Sequence, residues 1–362
     1  MKIGIDARLI GETGIGRYIR NLLTELGRLD EQNSYVVFLP QHAYEAFVLP
    51  NSRWEKRLCQ VHWHTVKEQV LMPFIFSREH LDLLHVPYFN VPIFYSGAYV
   101  VTIHDLTILH VTTGKATTLP KPLYLLRKLG YQLIIRIGVK RAKHIIAVSE
   151  STKNDIVKSF GTDPKKISVT HEGVDALIVS NSKTSPVKAP YFLYVGNAYP
   201  HKNLEFLIRG FGTFLLKHPN YQLILVGKKD FFYGRLKQWI MQFSWNTHIQ
   251  FVESVNDQEL ATYYRYAASF VFPSLMEGFG LPALEAIGFG TPVIVSDIPV
   301  FHELFGTIPL YFDPKNEGSL ITAMEQVTAG KKKQLSVLEK KYISVYQWSK
   351  TAKETLRVYT SI

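Results

Sequence analysis

Apolar residues along this chain fall into two rhythms: short continuous runs and longer stretches with helical period. Lys2–Asp6 is such a run, followed by a polar, glycine-containing segment, Ala7–Arg17. Ile15, Tyr18, Ile19, Leu22, Leu23 and Leu26 then recur at helical spacing. The unit reads as strand, loop, helix. Tyr35–Leu39, Leu83–Val86, Tyr99–Ile103 and Ile145–Val148 read as further strands. Helical segments alternate with most of them, which argues a parallel α/β sheet.

The rhythm stops near Val179–Ala189, where small polar residues without period have the composition of a linker. It then restarts: strand Tyr191–Val195, helix Asn203–His218, strands Gln222–Val226 and Ile249–Phe251, helix Asp257–Arg265, strand Ser269–Phe272, helix Leu281–Phe289, strand Pro292–Ser296. The pattern predicts two doubly wound, Rossmann-like α/β domains, residues 1–178 and 190–346, joined by the linker 179–189. A helical tail from about Trp348 to Thr360 follows the second sheet, and residues 347–362 are expected to pack back on the first domain. Ligands of such sheets bind beyond the carboxyl ends of the strands, and the cleft between two facing domains is the expected site.

A length of 362 residues suits two domains, and 46% apolar with 20% charged residues fits a globular protein. Cys59 is the only cysteine, which excludes an intramolecular disulfide and a cysteine-based zinc site and fits a reducing compartment. The first residues lack a signal-peptide core, and no uncharged apolar run approaches the ~20 residues of a membrane span. A cytoplasmic protein is expected, with peripheral contact to the inner face of the membrane as an additional expectation. That contact rests on how the net charge of +11 is distributed. From Leu106 to Ser149 there is no acid, while Lys115, Lys121, Arg127, Lys128, Arg136, Lys140, Arg141 and Lys143 fall there. Leu123, Leu125, Leu126, Leu129 and Leu133 interleave with them at roughly helical spacing. A basic amphipathic helix within Lys115–Lys143 can lie on anionic lipid, or be an ordinary helix with a solvated basic face. Nothing resembles a nucleic-acid module, so no nucleic-acid partner is expected. His62 and His64 would share one face of a strand, but no further ligands follow at metal-site spacing and no metal is expected.

The densest chemistry lies in Pro273–Ala286, where Glu277 and Glu285 stand eight residues apart around Gly278, Gly280 and Pro282. Glycines allow close backbone approach to a ligand, and proline suits a helix start. Glu277 is therefore expected on a loop and Glu285 about one turn inside a helix whose free amides favour phosphate. A glycosidase double displacement needs carboxylates roughly 5–5.5 Å apart. Eight helical residues span about 12 Å, which makes hydrolysis the weaker reading. Tyr88, Phe89 and Asn90 precede His104 and offer an aromatic surface suited to an acceptor sugar or lipid.

The ordered motifs cover nearly the whole chain. They are Asp6-Ala7-Arg8 with Thr13–Tyr18, Thr102-Ile103-His104-Asp105-Leu106, Ala147-Val148-Ser149, Glu172-Gly173-Val174-Asp175, Val195-Gly196-Asn197, Pro200-His201-Lys202-Asn203, and the two-glutamate segment through Val293. In this order they resemble the retaining GT-B glycosyltransferases of family 4, with bacterial mannosyltransferases as the nearest wording. The resemblance implies hexosyl transfer from a sugar nucleotide to a hydroxyl of a glycan or lipid-linked acceptor, with retention and without divalent metal or other cofactor. It places Lys202 on the donor diphosphate and His104 beside the donor sugar. Glu277 falls close to that sugar, and Glu285 on the ribose. Gly14 and Gly16 match a phosphate-approaching loop, and the Phe279, Gly280 and Leu281 amides would hold sugar hydroxyls or phosphate. Asn197 stands where many members carry an arginine, so Arg8 or Arg17 is a possible substitute in the phosphate site. GDP-mannose is the first choice of donor and a UDP-hexose the second, with base contacts expected from Phe251–Val255. A UDP-hexose transferase, a sugar-nucleotide epimerase of the same fold and a non-catalytic sugar-nucleotide-binding protein are the alternatives.

Overall fold

The computed structural model describes residues 1–110, 121–174, 184–253, 255–330 and 342–362, with the side chains of Lys121, Pro122 and Tyr124 excepted. Lys115, Asp175, Ser254 and the first half of the expected linker lie outside the described residues. The described residues form two compact units. The first takes 1–110, 121–173 and 346–362, and the second takes those from 174 to 345.

The first unit is built on β1 (Lys2–Asp6), β2 (Ser34–Leu39), β3 (Trp54–Leu58), β4 (Leu83–Val86), β5 (Tyr99–Ile103), β6 (His144–Ala147) and β7 (Ile167–Val169). They form one parallel sheet in the order β3-β2-β1-β4-β5-β6-β7. The second unit holds β8 (Tyr191–Val195), β9 (Gln222–Val226), β10 (Ile249–Val252), β11 (Ser269–Phe272), β12 (Val293–Ser296) and β13 (Leu310–Phe312), in the parallel order β10-β9-β8-β11-β12-β13. The expected doubly wound class is observed in each unit. Central strands such as Tyr99–Ile103 and Ser269–Phe272 are buried throughout, as strands covered on both faces must be.

The strands that the sequence pattern did not predict are β3, β7 and β13, all at sheet edges. Trp-Glu-Lys-Arg-Leu in β3 carries the charge that blunts an exposed edge, and that charge hides the strand rhythm. A second difference concerns His62 and His64, which do not lie on a strand. His62 stacks on Trp63, and His64 turns the chain at φ 60°, a left-handed value uncommon for a side-chain-bearing residue. Thr65 then caps the helix Val66–Arg78 by accepting from the Glu68 amide at 3.2 Å. Pro73 within that helix and apolar residues on both its faces obscure its period.

The helix Trp348–Thr360 belongs to the first unit, buried through Trp348, Thr351, Ala352, Thr355, Val358 and Tyr359 against the helix Gly14–Leu29. Its Tyr359 hydroxyl lies 2.5 Å from His85 Nδ1, and His85 Nε2 lies 2.7 Å from Thr102 Oγ1. Complete burial pushes the His85 ring down to about 3. The unfolded ring takes up a proton near 6.5, so the unfolded state binds more protons at every pH between these two values. Stability is therefore expected to be full above pH 6.5 and to fall below it by up to about 1.4 kcal/mol per pH unit from this group. Urea titrations at pH 7 and pH 5 check this. A His85→Gln variant with an unchanged pH slope would count against it.

Candidate active site

In the second sheet the winding direction reverses between β8 and β11, which are neighbours. Loops leaving adjacent strands at such a switch point diverge and leave room for a ligand. Lys202 follows β8 and Glu277 follows β11, so residues 75 apart in sequence meet. Lys202 Nζ lies 2.5 Å from Glu277 Oε1 and 5.5 Å from the centre of the Phe272 ring. Both side chains are mostly buried, and the buried Ser274 hydroxyl donates to the same Glu277 oxygen at 2.6 Å. The Leu275 amide donates to His201 O at 2.8 Å, tying the two loops together through the backbone. Asn203, at φ 59°, ends the Pro200–Lys202 turn and donates to Pro314 O at 3.0 Å.

Beyond Glu277, Gly280 takes φ 115°, and Phe301 and Phe305 would crowd any Cβ placed there. Only glycine fills both conditions at the start of the helix Leu281–Phe289. The Ala283 and Leu284 amides turn back to Gly280 O, while the Leu281 amide at the first helical position has no partner inside the helix. Phe279 is buried in the same elbow. Glu285 sits one turn into this helix, half-buried, and accepts from the Tyr264 hydroxyl at 2.9 Å. Tyr264 is itself fixed by stacking on Phe289 and by Thr291 Oγ1, which donates to its carbonyl at 2.6 Å.

Asn197 follows β8 in a turn held by two buried tyrosines. The Tyr194 hydroxyl donates to Asn197 O at 2.6 Å and the Tyr233 hydroxyl to Gly196 O at 2.8 Å. The Asn197 side-chain oxygen accepts from the Tyr199 amide at 3.3 Å, so its amide group shapes its own turn. Arg8, in the first unit, is not available as a substitute cation. It is buried, with Nη2 2.6 Å from Asp6 and 2.7 Å from Glu68. Of the segment expected to read the base, Phe251 and Val252 lie on β10 and Glu253 pairs with Lys237 at 2.5 Å.

In the first sheet the reversal falls between β1 and β4, and His104 follows the next strand, β5. His104 Nδ1 lies 2.8 Å from Glu172 Oε1, and Nε2 lies 3.1 Å from Pro87 O. The two oxygens hold the ring from both of its nitrogens and so fix its orientation. Tyr18 packs edge-on to the imidazole at 4.9 Å, and Thr152 donates to His104 O at 3.1 Å. Glu172 is buried and was not singled out by sequence, although the motif Glu172-Gly173-Val174-Asp175 contains it. The C-terminal helix holds its loop. Thr351 donates to His171 O at 2.7 Å, and a Cβ on Gly173 would stand 2.2 Å from Trp348 N.

The Pro87–Asn90 segment links this histidine to a buried charged cluster. The Asn90 amide donates to Glu68, which also pairs with Arg8 and accepts from the His64 amide at 2.8 Å. Phe89 and Asn90 are buried and Phe89 belongs to the core, which leaves Tyr88 as the partly exposed member of the three. Tyr88, Phe89 and Tyr131 surround the His64 ring at 5.6, 5.9 and 5.1 Å. Burial, reinforced by Arg127, pushes that imidazole down to about 4, and its Nδ1 is buried without a partner among the described residues. Gly14 and Gly16 open the helix Gly14–Leu29. Gly14 is exposed, and a Cβ there would meet nothing within 4 Å, whereas a Cβ on Gly16 would stand 2.6 Å from Ile10 O. Gly16 therefore lets the helix lie against the loop backbone.

Comparison with known sequences accounts for both halves. The sequence model described as Glycosyltransferase Family 4 matches residues 13–176, and that of Glycosyl transferases group 1 matches residues 178–342. The chain belongs to the family 4 glycosyltransferases. This glycosyltransferase is 28% identical over 329 residues to the O-antigen chain mannosyltransferase RfbU of Salmonella typhimurium, covering 87% of each chain. It is 28% identical over 250 residues to O-antigen chain mannosyltransferase B of Escherichia coli, covering 66% of this chain and 63% of the relative. Among solved structures, sucrose-phosphate synthase from Thermosynechococcus elongatus superposes with a TM-score of 0.78 at 18% identity, covering 100% of this chain and 98% of the other. Anabaena Alr3699/HepE in complex with UDP-glucose superposes at 0.72 and 16% identity, with both chains covered fully. The enzyme has the GT-B fold.

Proposed function

We propose that this enzyme transfers a hexosyl unit, mannosyl before any other, from a sugar nucleotide to a hydroxyl of a glycan or lipid-linked acceptor, with retention at the anomeric carbon. The observation that carries this reading is the Lys202–Glu277 pair beside the Gly280 elbow, with Glu285 one turn further along the same helix. It combines in one unit a cation for a diphosphate, helix amides for phosphate or sugar hydroxyls, and an acceptor-only carboxylate for a ribose diol. The mannosyl preference is supported by the two relatives named mannosyltransferases, and GDP-mannose is the donor it implies. A UDP-hexose is the second donor, favoured by the UDP-glucose complex of the Anabaena protein.

Lys202 would exchange Glu277 for the diphosphate and offset charge as the nucleotide leaves. A departing phosphate oxygen would take the acceptor proton on the face where the new bond forms. Glu277, released from Lys202, would orient a donor-sugar hydroxyl, and His104 is the first-unit residue that the family resemblance assigns to the donor sugar. On the acceptor side Tyr88 is the side chain that can offer a sugar an aromatic face. A catalytic centre working at a membrane surface would suit a lipid-linked acceptor, with the basic helix as the point of contact.

The decisive experiment is a thermal-shift and donor-hydrolysis screen across sugar nucleotides, run on the native enzyme and on Glu277→Ala and Lys202→Ala. A donor whose stabilising effect survives both substitutions would remove the site from this reading. Tyr264→Phe takes the phenolic hydrogen bond away from Glu285 and is expected to raise the donor KM about fivefold, the effect of losing roughly 1 kcal/mol of orientation, with kcat nearly unchanged. Initial-rate kinetics with varied donor check this. A fall in kcat alone would place Glu285 elsewhere in the reaction.

A further inference from the structure

Three neighbouring strands of the second sheet end together beside the Lys202 turn. Val195, Val226 and Val252 are register partners across β8, β9 and β10, so Gly196, Gly227 and Glu253 follow them in one row. The Gly196 amide donates to Val226 O at 2.9 Å and the Gly227 amide to Val252 O at 3.1 Å, which ties the row through the backbone. A Cβ on Gly227 would stand 2.2 Å from Gly196 O and 2.4 Å from the Tyr233 hydroxyl, so glycine is required there. The row spans two strand spacings, about 9.6 Å. Its first two positions carry no side chain, and its third carries a carboxylate.

That carboxylate is paired. Glu253 Oε1 lies 2.5 Å from Nζ of Lys237, on the helix Phe231–Ile240 that follows β9, and both side chains are partly exposed. The hydrogen bond from Lys237, with added charge from Lys229, holds the Glu253 carboxyl below its ordinary value. Lys237 Nζ stands 5.2 Å from the centre of the Phe251 ring, which packs edge-on to Tyr233 at 5.8 Å. Tyr233 in turn holds Gly196 O. Beyond Glu253 the chain enters the helix Asp257–Tyr266, whose Tyr264 holds Glu285. The charge pair is thus built onto both the Lys202 turn and the Glu285 support.

We propose that Lys237 and Glu253 read the base of the donor and select guanine. This deepens the sugar-nucleotide reading of the Lys202 site and rests on it. The glycine row is a floor on which a flat nucleoside can lie against backbone, with the diphosphate at the Lys202 end and the base at the Glu253 end. The Watson–Crick edge of guanine presents an acceptor, O6, beside two adjacent donors, N1–H and the 2-amino group. An ammonium only donates and a carboxylate only accepts, so Lys237 serves O6 while Glu253 takes both donors in a two-pronged contact. O6 and N1 are bonded to the same ring carbon, so the two side chains act side by side and their ion pair stays closed. Uracil presents one donor between two carbonyl oxygens, and a carboxylate meeting that donor also faces an oxygen. Adenine and cytosine each present an amino group beside a ring nitrogen that only accepts. Guanine alone satisfies both charges.

The test is isothermal titration calorimetry of the full chain with GDP, IDP and UDP. IDP carries hypoxanthine, which is guanine without its 2-amino group. The native enzyme is expected to bind GDP at least about tenfold more tightly than IDP or UDP, the discrimination of one good two-pronged contact. Glu253→Gln is expected to bring GDP and IDP within about threefold of each other, because glutamine offers one accepting oxygen where the carboxylate offers two. Lys237→Met is expected to weaken GDP and IDP alike, since both carry O6. Equal native affinities for GDP and IDP, a native preference for UDP, or an unchanged GDP preference in Glu253→Gln would each overturn the proposal. Lys202→Ala is expected to weaken all three ligands by one factor, because it acts on the phosphates they share. Binding that ignores Lys202→Ala would overturn the donor-site reading itself. Lost base preference with that dependence intact overturns only the assignment of Lys237 and Glu253.

Discussion

Lys202→Ala is expected to lower kcat/KM by about 10²- to 10³-fold, the range seen when one preorganised charge-stabilising group is removed. The geometry says why the loss falls chiefly on kcat. Without a donor, Lys202 is held 2.5 Å from Glu277, so its cation is positioned before the substrate arrives. On the proposed reading, its greatest effect would come as further negative charge develops on a departing diphosphate, a charge present fully only in the transition state. Removing Lys202 also leaves Glu277 with the Ser274 hydroxyl and no cation beside it, a carboxylate turned toward an incoming anion. Glu277→Gln in the same background should therefore restore part of the donor affinity, and the two substitutions together should cost less than the product of their separate effects. Steady-state kinetics on the native enzyme, both single variants and the double variant complete that cycle. An alanine variant within threefold of the native enzyme would mean that Lys202 only closes an ion pair.

Glu172→Gln is expected to lower kcat by roughly ten- to a hundredfold, close to the effect of His104→Ala, because the carboxylate fixes both the ring and its Nδ1 proton. Glutamine fills the same buried space, so folding should survive where alanine would leave a gap. A purely structural Glu172 would lower thermal stability and leave the pH profile of kcat in place. A positioning Glu172 would change that profile, since the charge facing His104 Nδ1 would be gone. Thermal unfolding and a kcat–pH series on the same preparations separate these outcomes.

The buried centres of both sheets could be read from apolar runs because they need continuous hydrophobic strands, and the helix Gly14–Leu29 because its inner face is uniformly apolar. Three of the four edge strands escaped because edges favour charge, as in β3, or brevity, as in β7 and β13, whereas the edge strand β10 was legible as Ile249–Phe251. The helix Val66–Arg78 escaped for the opposite reason, since apolar side chains on its outer face erase the contrast on which period depends. In the candidate site, residues inside one motif were visible together, as Glu277 and Glu285 were. Pairings across strands were not. Nothing local joins His104 to Glu172, 68 residues on, or Glu68 to Arg8 and Asn90; only sheet order brings them together. Asn197 reads as a departure when only its charge is considered, but its backbone and side chain both organise the turn that precedes Lys202.

The helix Trp348–Thr360 follows the whole second unit in sequence yet completes the first, against Tyr18, His85 and the Glu172 loop. On the ribosome this inverts the usual order in which domains mature from the amino end. The second unit can close while the first still lacks a wall, and the support behind His104 arrives only with these late residues. A stalled or prematurely terminated chain would thus carry a folded second unit and an unfinished first one, a species that quality control could recognise by the apolar surface of the helix Gly14–Leu29.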